Sequence, residues 1–148
     1  LLNIVNVIME EGLFRGFFLK VTNNKYNFLK SNLIVALLFG LWHFVMPLRS
    51  YINGEMNLIS LIVMILGYIV LAGIMSIKWG MLYKMTGSRS IGIGDHLFNN
   101  IVATNILHIV TNTGADELQI VRILIAQIIS FMIVCLIYRK MKNKIQSN

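Results

Sequence analysis

The sequence predicts an all-α fold, a polytopic bundle of about five transmembrane helices that forms one membrane-embedded domain over residues 1–148. Three observations support this prediction. Hydrophobic residues make up 57% of the chain and charged residues 13%, which is about half the charged share of a soluble domain. Several apolar runs reach the roughly 20 residues that a membrane helix needs. Most basic residues stand between these runs, where loops are expected.

The spans are predicted in order along the chain. Span one ends at a loop rich in lysine and asparagine, and span two is expected to stop at Pro47, which interrupts a helix. Asn53-Gly54 is typical of a turn. Span three carries no charge, whereas span four is so polar that it must face other helices. The predicted bounds are 1–19, 31–46, 57–77, 91–110 and 118–138.

Small residues predict where helices approach closely. Gly12 and Gly16 of span one lie at i and i+4, and a second set lies at and beyond the end of span three. Such spacing lets another helix come near the backbone. The second set is Ala72, Ser76 and Gly80. Trp79 is expected at the membrane interface, where amphipathic rings concentrate.

The positions of the basic residues predict the orientation. Ten of the 13 lysines and arginines fall on one side, in the loop 20–30, in the region 78–89 and after Tyr138. The positive-inside rule makes that side cytoplasmic, with the N-terminus outside and the C-terminus inside. No base-reading groups accompany these charges, so a nucleic-acid partner is not expected.

External thiol labelling tests this orientation. In a Cys135→Ser background, a cysteine at Asn53 is expected to react with an impermeant reagent, because that loop is predicted to lie outside. A cysteine at Asn23 is expected to stay protected. Labelling at Asn23 together with protection at Asn53 would overturn the prediction.

Composition limits the setting further. Cys135 is the single cysteine, so an internal disulfide and a cysteine metal cluster are excluded. The abundance of isoleucine, asparagine and lysine is typical of an AT-rich bacterial genome, so we expect a bacterial plasma membrane. The first predicted span begins at residue 1, which is not a methionine, and we therefore expect the chain to be the C-terminal part of a longer protein. No feature of the sequence indicates an oligomeric state.

Glu10, Glu11 and Arg15 stand inside the apolar run of span one. Charges at bilayer depth are costly and by default functional. Glu11 and Arg15 share a helix face at i and i+4 with the acid first, the favourable order. We expect Arg15 to neutralise Glu11 and to leave Glu10 free for chemistry. The alternative is a buried ion pair that only fixes helix packing.

Two other spans supply polar groups at similar depth. Phe39 and His43 share one face of span two, and His96 and Asn100 share one face of span four. A carboxylate and a histidine together can activate water, while histidine and asparagine can bind an oxyanion. Alternatively, Glu10, His43 and His96 form a ligand set for a catalytic zinc. The His-Glu-x-x-His signature of soluble zinc proteases is absent.

Taken together, these motifs resemble the CPBP family, the CAAX proteases and bacteriocin-processing enzymes, also called the Abi family. The motifs are Glu10-Glu11 with Arg15, Phe39 with His43, and His96 with Asn100. The resemblance runs from Met9 to about Val110. It implies an intramembrane endopeptidase whose site opens toward the cytosol. The family domain has further helices before the first motif, and we expect this chain to lack them.

The resemblance also implies roles for individual residues. Glu10 is then the general base, with His43 helping to activate water. His96 and Asn100 bind the oxyanion. The residues that support the site are Glu11, Arg15 and Phe39. Water activated by glutamate is favoured over an obligatory divalent metal, and zinc held by Glu10, His43 and His96 stays the alternative.

Three classes of function remain open at this stage. The favoured one is hydrolysis of a bacterial membrane-associated peptide or protein, with the lipid bilayer as its environment. The second is a non-proteolytic membrane partner or a bacteriocin-immunity protein. The third is a fragment of a transporter, which predicts flux without cleavage. A cleavage assay on membrane peptides separates the first class from the other two.

Overall fold

The computed structural model describes residues 2–103 and 119–146, which form helices and turns and contain no strand. The predicted all-α class is therefore confirmed. Residues 104–110 of predicted span four and residue 118, the first of predicted span five, lie outside the described residues. The elements are α1 (Leu2–Glu11), a first π-helical segment (Gly12–Phe18), α2 (Leu19–Asn23), α3 (Phe28–Trp42), α4 (Val45–Ile52), α5 (Leu58–Thr86), α6 (Ser90–Phe98), a second π-helical segment (Asn99–Ala103) and α7 (Gln119–Gln146).

Among the described residues, three helical stretches are long and apolar enough to cross a membrane. They are Phe28–Ile52, Leu58–Thr86 and Arg122–Asn143. The first helical stretch carries Glu10, Glu11 and Arg15 within its apolar run, and α1 packs against α6. The polar faces of these two stretches are thus turned toward each other inside the bundle.

The prediction that span two ends at Pro47 is wrong. Helix α3 ends at Trp42, and the chain turns before entering α4 at Val45. Pro47 then lies in the first turn of α4, where its missing N–H costs no helical hydrogen bond. The predicted turn at Asn53-Gly54 is confirmed, since Gly54 has a positive φ of 75°.

Helix α5 continues well past the predicted end of span three and stops at Thr86, where Gly87 adopts a left-handed φ of 68°. The prediction that Lys78 lies in a loop is therefore wrong, and Trp79, expected at the membrane interface, packs inside the bundle. Both side chains are 2% exposed. Without Lys78, nine basic residues remain in the segments predicted to be cytoplasmic. Lys78 stays buried because it has an acidic partner, described below.

Close packing of α3 against α5 builds the centre of the bundle. Of the predicted small-residue face on α5, Ser76 and Gly80 are buried and Ala72 packs against the core, and Asn32 of α3 donates to the Ile77 carbonyl at 3.0 Å. The small-residue face predicted on this helix is thus used. The core side chains around it are Phe14, Leu19, Val35, Phe39, Met75 and Trp79.

The small-residue face predicted on span one is not used in the same way. A Cβ added to Gly12 would meet no neighbour within 4 Å, and Gly16 faces the Arg89 side chain instead of a helix backbone. Both glycines lie in the first π-helical segment.

Gly40→Ala is expected to destabilise the bundle by about 1–3 kcal/mol, the usual cost of overpacking. A Cβ at Gly40 would lie 2.8 Å from the Ile69 Cα and 3.0 Å from its carbonyl oxygen. This backbone cannot move without displacing α5. Thermal unfolding in detergent measures the effect. Gly67→Ala on α5 is the control, because nothing lies within 4 Å of its Cβ position, and an equal loss in both variants would contradict the prediction.

Candidate active site

Four ionisable side chains from two parts of the chain meet inside the bundle. Glu10, Glu11 and Arg15 come from the first helical stretch, and His96 comes from α6. Each is at most 6% exposed. Burial at this level is expected only for charges that have partners, since an isolated buried charge is very costly.

Glu11 and Arg15 form the predicted i, i+4 ion pair, with Nη1 and Oε1 separated by 3.1 Å. The guanidinium also donates from Nη2 to the Ser76 carbonyl of α5 at 3.1 Å. Its carbon lies 4.9 Å from the centre of the Phe39 ring and 5.0 Å from that of Trp79. Arg15 thereby joins the first helical stretch to α3 and α5 and holds these elements together next to the cluster.

His96 lies between the two glutamates. Its Nδ1 is 3.1 Å from Glu11 Oε1, and its Nε2 is 3.6 Å from Glu10 Oε2. The other Glu10 oxygen accepts a hydrogen bond of 2.9 Å from Asn6 Nδ2. A carboxylate is an acceptor, so the proton on Nδ1 points to Glu11. The imidazole therefore contacts both acids of the first motif.

A cavity of about 260 Å³ lies beside this cluster, between α3, α5, α6 and α7. Its lining is largely apolar and includes Leu71, Met75, Ile123 and Leu124. His43, His96 and Asn100 also line it, together with Tyr68 and Gln127. Three of the four residues predicted to be catalytic thus share one cavity, and Glu10 contacts one of them, His96.

His43 lies at the C-terminal end of α3, where its Nδ1 is 2.8 Å from the Phe39 carbonyl oxygen. Because a carbonyl only accepts, Nδ1 is the donor, and a neutral ring then has an unprotonated Nε2. The ring is stacked on Tyr68 with a centroid distance of 6.0 Å. His43 can therefore accept a proton at Nε2, though it is not grouped with Glu10.

Asn100 lies in the second π-helical segment, and its Nδ2 donates to Asn3 Oδ1 of α1 at 3.4 Å. The neighbouring Asn99 accepts a hydrogen bond from Gln127 of α7. Single π-helical turns occur often at functional sites. Here one such segment carries Arg15 and the other carries Asn100.

The geometry does not match the alternative zinc site. Within residues 2–103 and 119–146, no three histidine, cysteine, aspartate or glutamate side chains gather in a way that could hold a metal ion. Glu10 and His96 are close together, but His43 does not join them. This donor set does not fit a three-ligand zinc site, so no step below is assigned to a metal.

Sequence reasoning missed three residues near the cluster. Lys78 and Asp95 form a second ion pair of 2.6 Å, and the Trp79 ring is stacked on His96 at 3.9 Å. One signal was available, since the apolar run of span three continues on both sides of Lys78 as far as Leu82. A charge inside such a run indicates a buried partner.

Comparison with known proteins agrees with the motifs. A family model for type II CAAX prenyl endopeptidases, Rce1-like, matches residues 1–114 and so includes all three motifs. Comparisons with curated proteins and with solved structures gave no match. The match and the three apolar helices identify an integral membrane protein. The resemblance to the CAAX proteases is confirmed, and the chain belongs to the Rce1-like type II CAAX prenyl endopeptidase family.

Proposed function

We propose that this chain is an intramembrane endopeptidase that hydrolyses a peptide bond of a membrane-associated peptide or protein. Its family supports a membrane-embedded protease. The observation that carries the proposal is the buried cluster of two glutamates, an arginine and a histidine beside an apolar cavity. A bundle held together by packing alone has no need of four desolvated ionisable groups at one point.

In the proposed reaction, Glu10 is the general base. Glu11 is neutralised by Arg15 at 3.1 Å, whereas Glu10 has Asn6, a neutral donor, and His96 as its neighbours. Glu10 takes a proton from water as the water oxygen bonds to the substrate carbonyl carbon. His43 assists from the cavity wall, where its Nε2 can accept a hydrogen bond from a further water that binds the attacking one.

The tetrahedral intermediate carries a negative charge on the former carbonyl oxygen. His96 and Asn100 both line the cavity, so they are the proposed donors to this oxyanion, Asn100 from its side-chain amide and His96 from Nε2, which bears a proton in the charged form of the ring. When the C–N bond breaks, the proton taken by Glu10 passes to the departing amine. The products are one new carboxylate end and one new ammonium end, which together contain all the atoms of the water consumed.

The cavity also favours a class of substrate. Its walls are mostly apolar side chains of α5 and α7, so a charged segment would lose its hydration there without finding partners. We propose an apolar segment that enters from the bilayer. The cytoplasmic position of the C-terminus is part of the same proposal, supported by the basic residues near that end.

The test is cleavage of membrane-spanning peptides by the full chain in lipid vesicles, with fragments identified by mass spectrometry. The wild-type protein is expected to give defined fragments, and Glu10→Ala is expected to give none above background. In H₂¹⁸O, the new carboxylate should carry the label, since water supplies that oxygen. Solute flux without any cleavage would support a transporter and overturn the proposal. Absence of both flux and cleavage would support a non-proteolytic partner.

A further inference from the structure

A second ion pair, between a buried lysine and a partly exposed aspartate, lies next to the proposed site. Lys78 Nζ and Asp95 Oδ2 are 2.6 Å apart, and the lysine side chain is 2% exposed. The ammonium also donates to Gln127 Oε1 at 3.3 Å and to Ser130 Oγ at 3.2 Å. Lys78 thus joins α5, α6 and α7, and α7 lies beyond the residues matched by the family model.

Asp95 has a second partner on the same oxygen. Trp79 Nε1 donates to Asp95 Oδ2 at 2.6 Å. The indole is stacked on the His96 imidazole with a centroid distance of 3.9 Å and an interplanar angle of 17°. Lys78 fixes the carboxylate, the carboxylate fixes the rotation of the indole, and the indole lies flat against the ring of the proposed oxyanion donor.

The orientation of the His96 ring determines where both of its nitrogens lie, and each nitrogen faces a glutamate. Nδ1 faces Glu11 at 3.1 Å, and Nε2 faces Glu10 at 3.6 Å. A rotation of the imidazole moves both nitrogens at once. Misplacement of a reacting group by about 1 Å can lower a rate by about a hundredfold.

We propose that Lys78 and Asp95 are positioning residues, which fix the plane of the His96 imidazole through Trp79; this inference rests on the function proposed above. The rival interpretation is an ion pair that only holds α5, α6 and α7 together. Helix packing alone gives no reason for the indole N–H to share the oxygen that binds Lys78. The two interpretations differ in what happens when the pair is removed without loss of folding.

The kinetic test removes both charges at once. Replacing a buried ion pair with apolar residues is often neutral for stability, so Lys78→Met combined with Asp95→Leu should accumulate normally. Its kcat is expected to fall by about tenfold to a hundredfold, with KM unchanged, because the apolar cavity wall stays in place. Lys84→Met, an exposed lysine on α5, is the control and should keep the wild-type kcat.

Trp79→Phe is the second variant, because it keeps the ion pair and removes the indole N–H. It is expected to show the same fall in kcat. Wild-type kcat in either the double variant or Trp79→Phe would overturn the proposal, as would an equal fall in the control. A double variant that does not fold, together with a fully active Trp79→Phe, would establish the packing interpretation.

A readout without catalysis separates this proposal from the proposed function. The chain has two tryptophans, so Trp42→Phe leaves Trp79 as the single tryptophan, whose emission can be excited apart from that of the tyrosines. The double variant removes the Asp95 bond that holds the indole against His96, so its emission lifetime is expected to differ from that of the Trp42→Phe protein. An unchanged lifetime would overturn the positioning role. If the lifetime changes but the wild-type protein cleaves no peptide, the proposed function is overturned. The role of Lys78 and Asp95 in holding Trp79 against His96 then stays supported.

Discussion

Replacing Glu10 with glutamine is expected to lower the rate of peptide cleavage by about 10²–10⁴-fold, the range of general-base contributions. Glutamine has the same size, and its amide oxygen can still accept the bond from Asn6. It cannot take a proton from water. Arg15 pairs with Glu11, so Glu10→Gln does not break that pair, and the protein level should stay near wild type. Initial cleavage rates and the amount of folded protein measure the two effects.

Glu55→Gln is the matched control for this variant. Glu55 is an exposed glutamate between α4 and α5, near Asn53, and its loss should change neither the rate nor the protein level. An active Glu10→Gln beside a folded but inactive Glu11→Gln would reverse the roles of the two glutamates. Equal losses in Glu10→Gln and the control would show that the assay responds to net charge.

The parts of the site that could be predicted depend on local spacing. Glu11 and Arg15 are i and i+4 on one helix, so their contact needs no knowledge of the fold, and the structure has them 3.1 Å apart. His96 could be placed near the glutamates because a polar span in a membrane must turn its polar side chains toward other helices. Its contact with both acids is the tertiary result of that requirement.

The parts that could not be predicted depend on partners from other helices. The apolar run around Lys78 indicates a buried partner, but only the structure shows that this partner is Asp95, 2.6 Å away on another helix. The same holds for Trp79, whose indole suits an interface as well as a stack on His96. Burial of these side chains follows from how α6 lies against α5, and periodicity within one helix carries no information on that.

The π-helical segments of the backbone could not be predicted from the sequence either. The two π-helical segments have no clear propensity signal, yet they contain Arg15 and Asn100. Pro47 shows the opposite problem, since proline is common both after a helix and in the first turn of the next one. The hydrophobic pattern therefore predicted the number and order of helical stretches better than it predicted their ends.

Glu11→Gln is expected to impair folding before it impairs chemistry. Glu11 and Arg15 are each 1% exposed, and the substitution leaves the guanidinium charged without its ion-pair partner. Breaking a buried pair in this way costs about 3–5 kcal/mol. The variant should therefore accumulate poorly in membranes and unfold at a lower temperature in detergent. Quantitative immunoblots and thermal unfolding measure these changes.

The double variant Glu11→Gln with Arg15→Met isolates the cause, because no orphaned charge remains in it. It should recover part of the protein level and of the unfolding temperature. Recovery is incomplete, since the guanidinium bond to the Ser76 carbonyl is lost. A double variant as unstable as Glu11→Gln would contradict an orphaned charge as the cause of the loss. If Glu10→Gln and Glu11→Gln both fold and cleave normally, the buried cluster is not the active site, because its two acids would then be dispensable for the reaction.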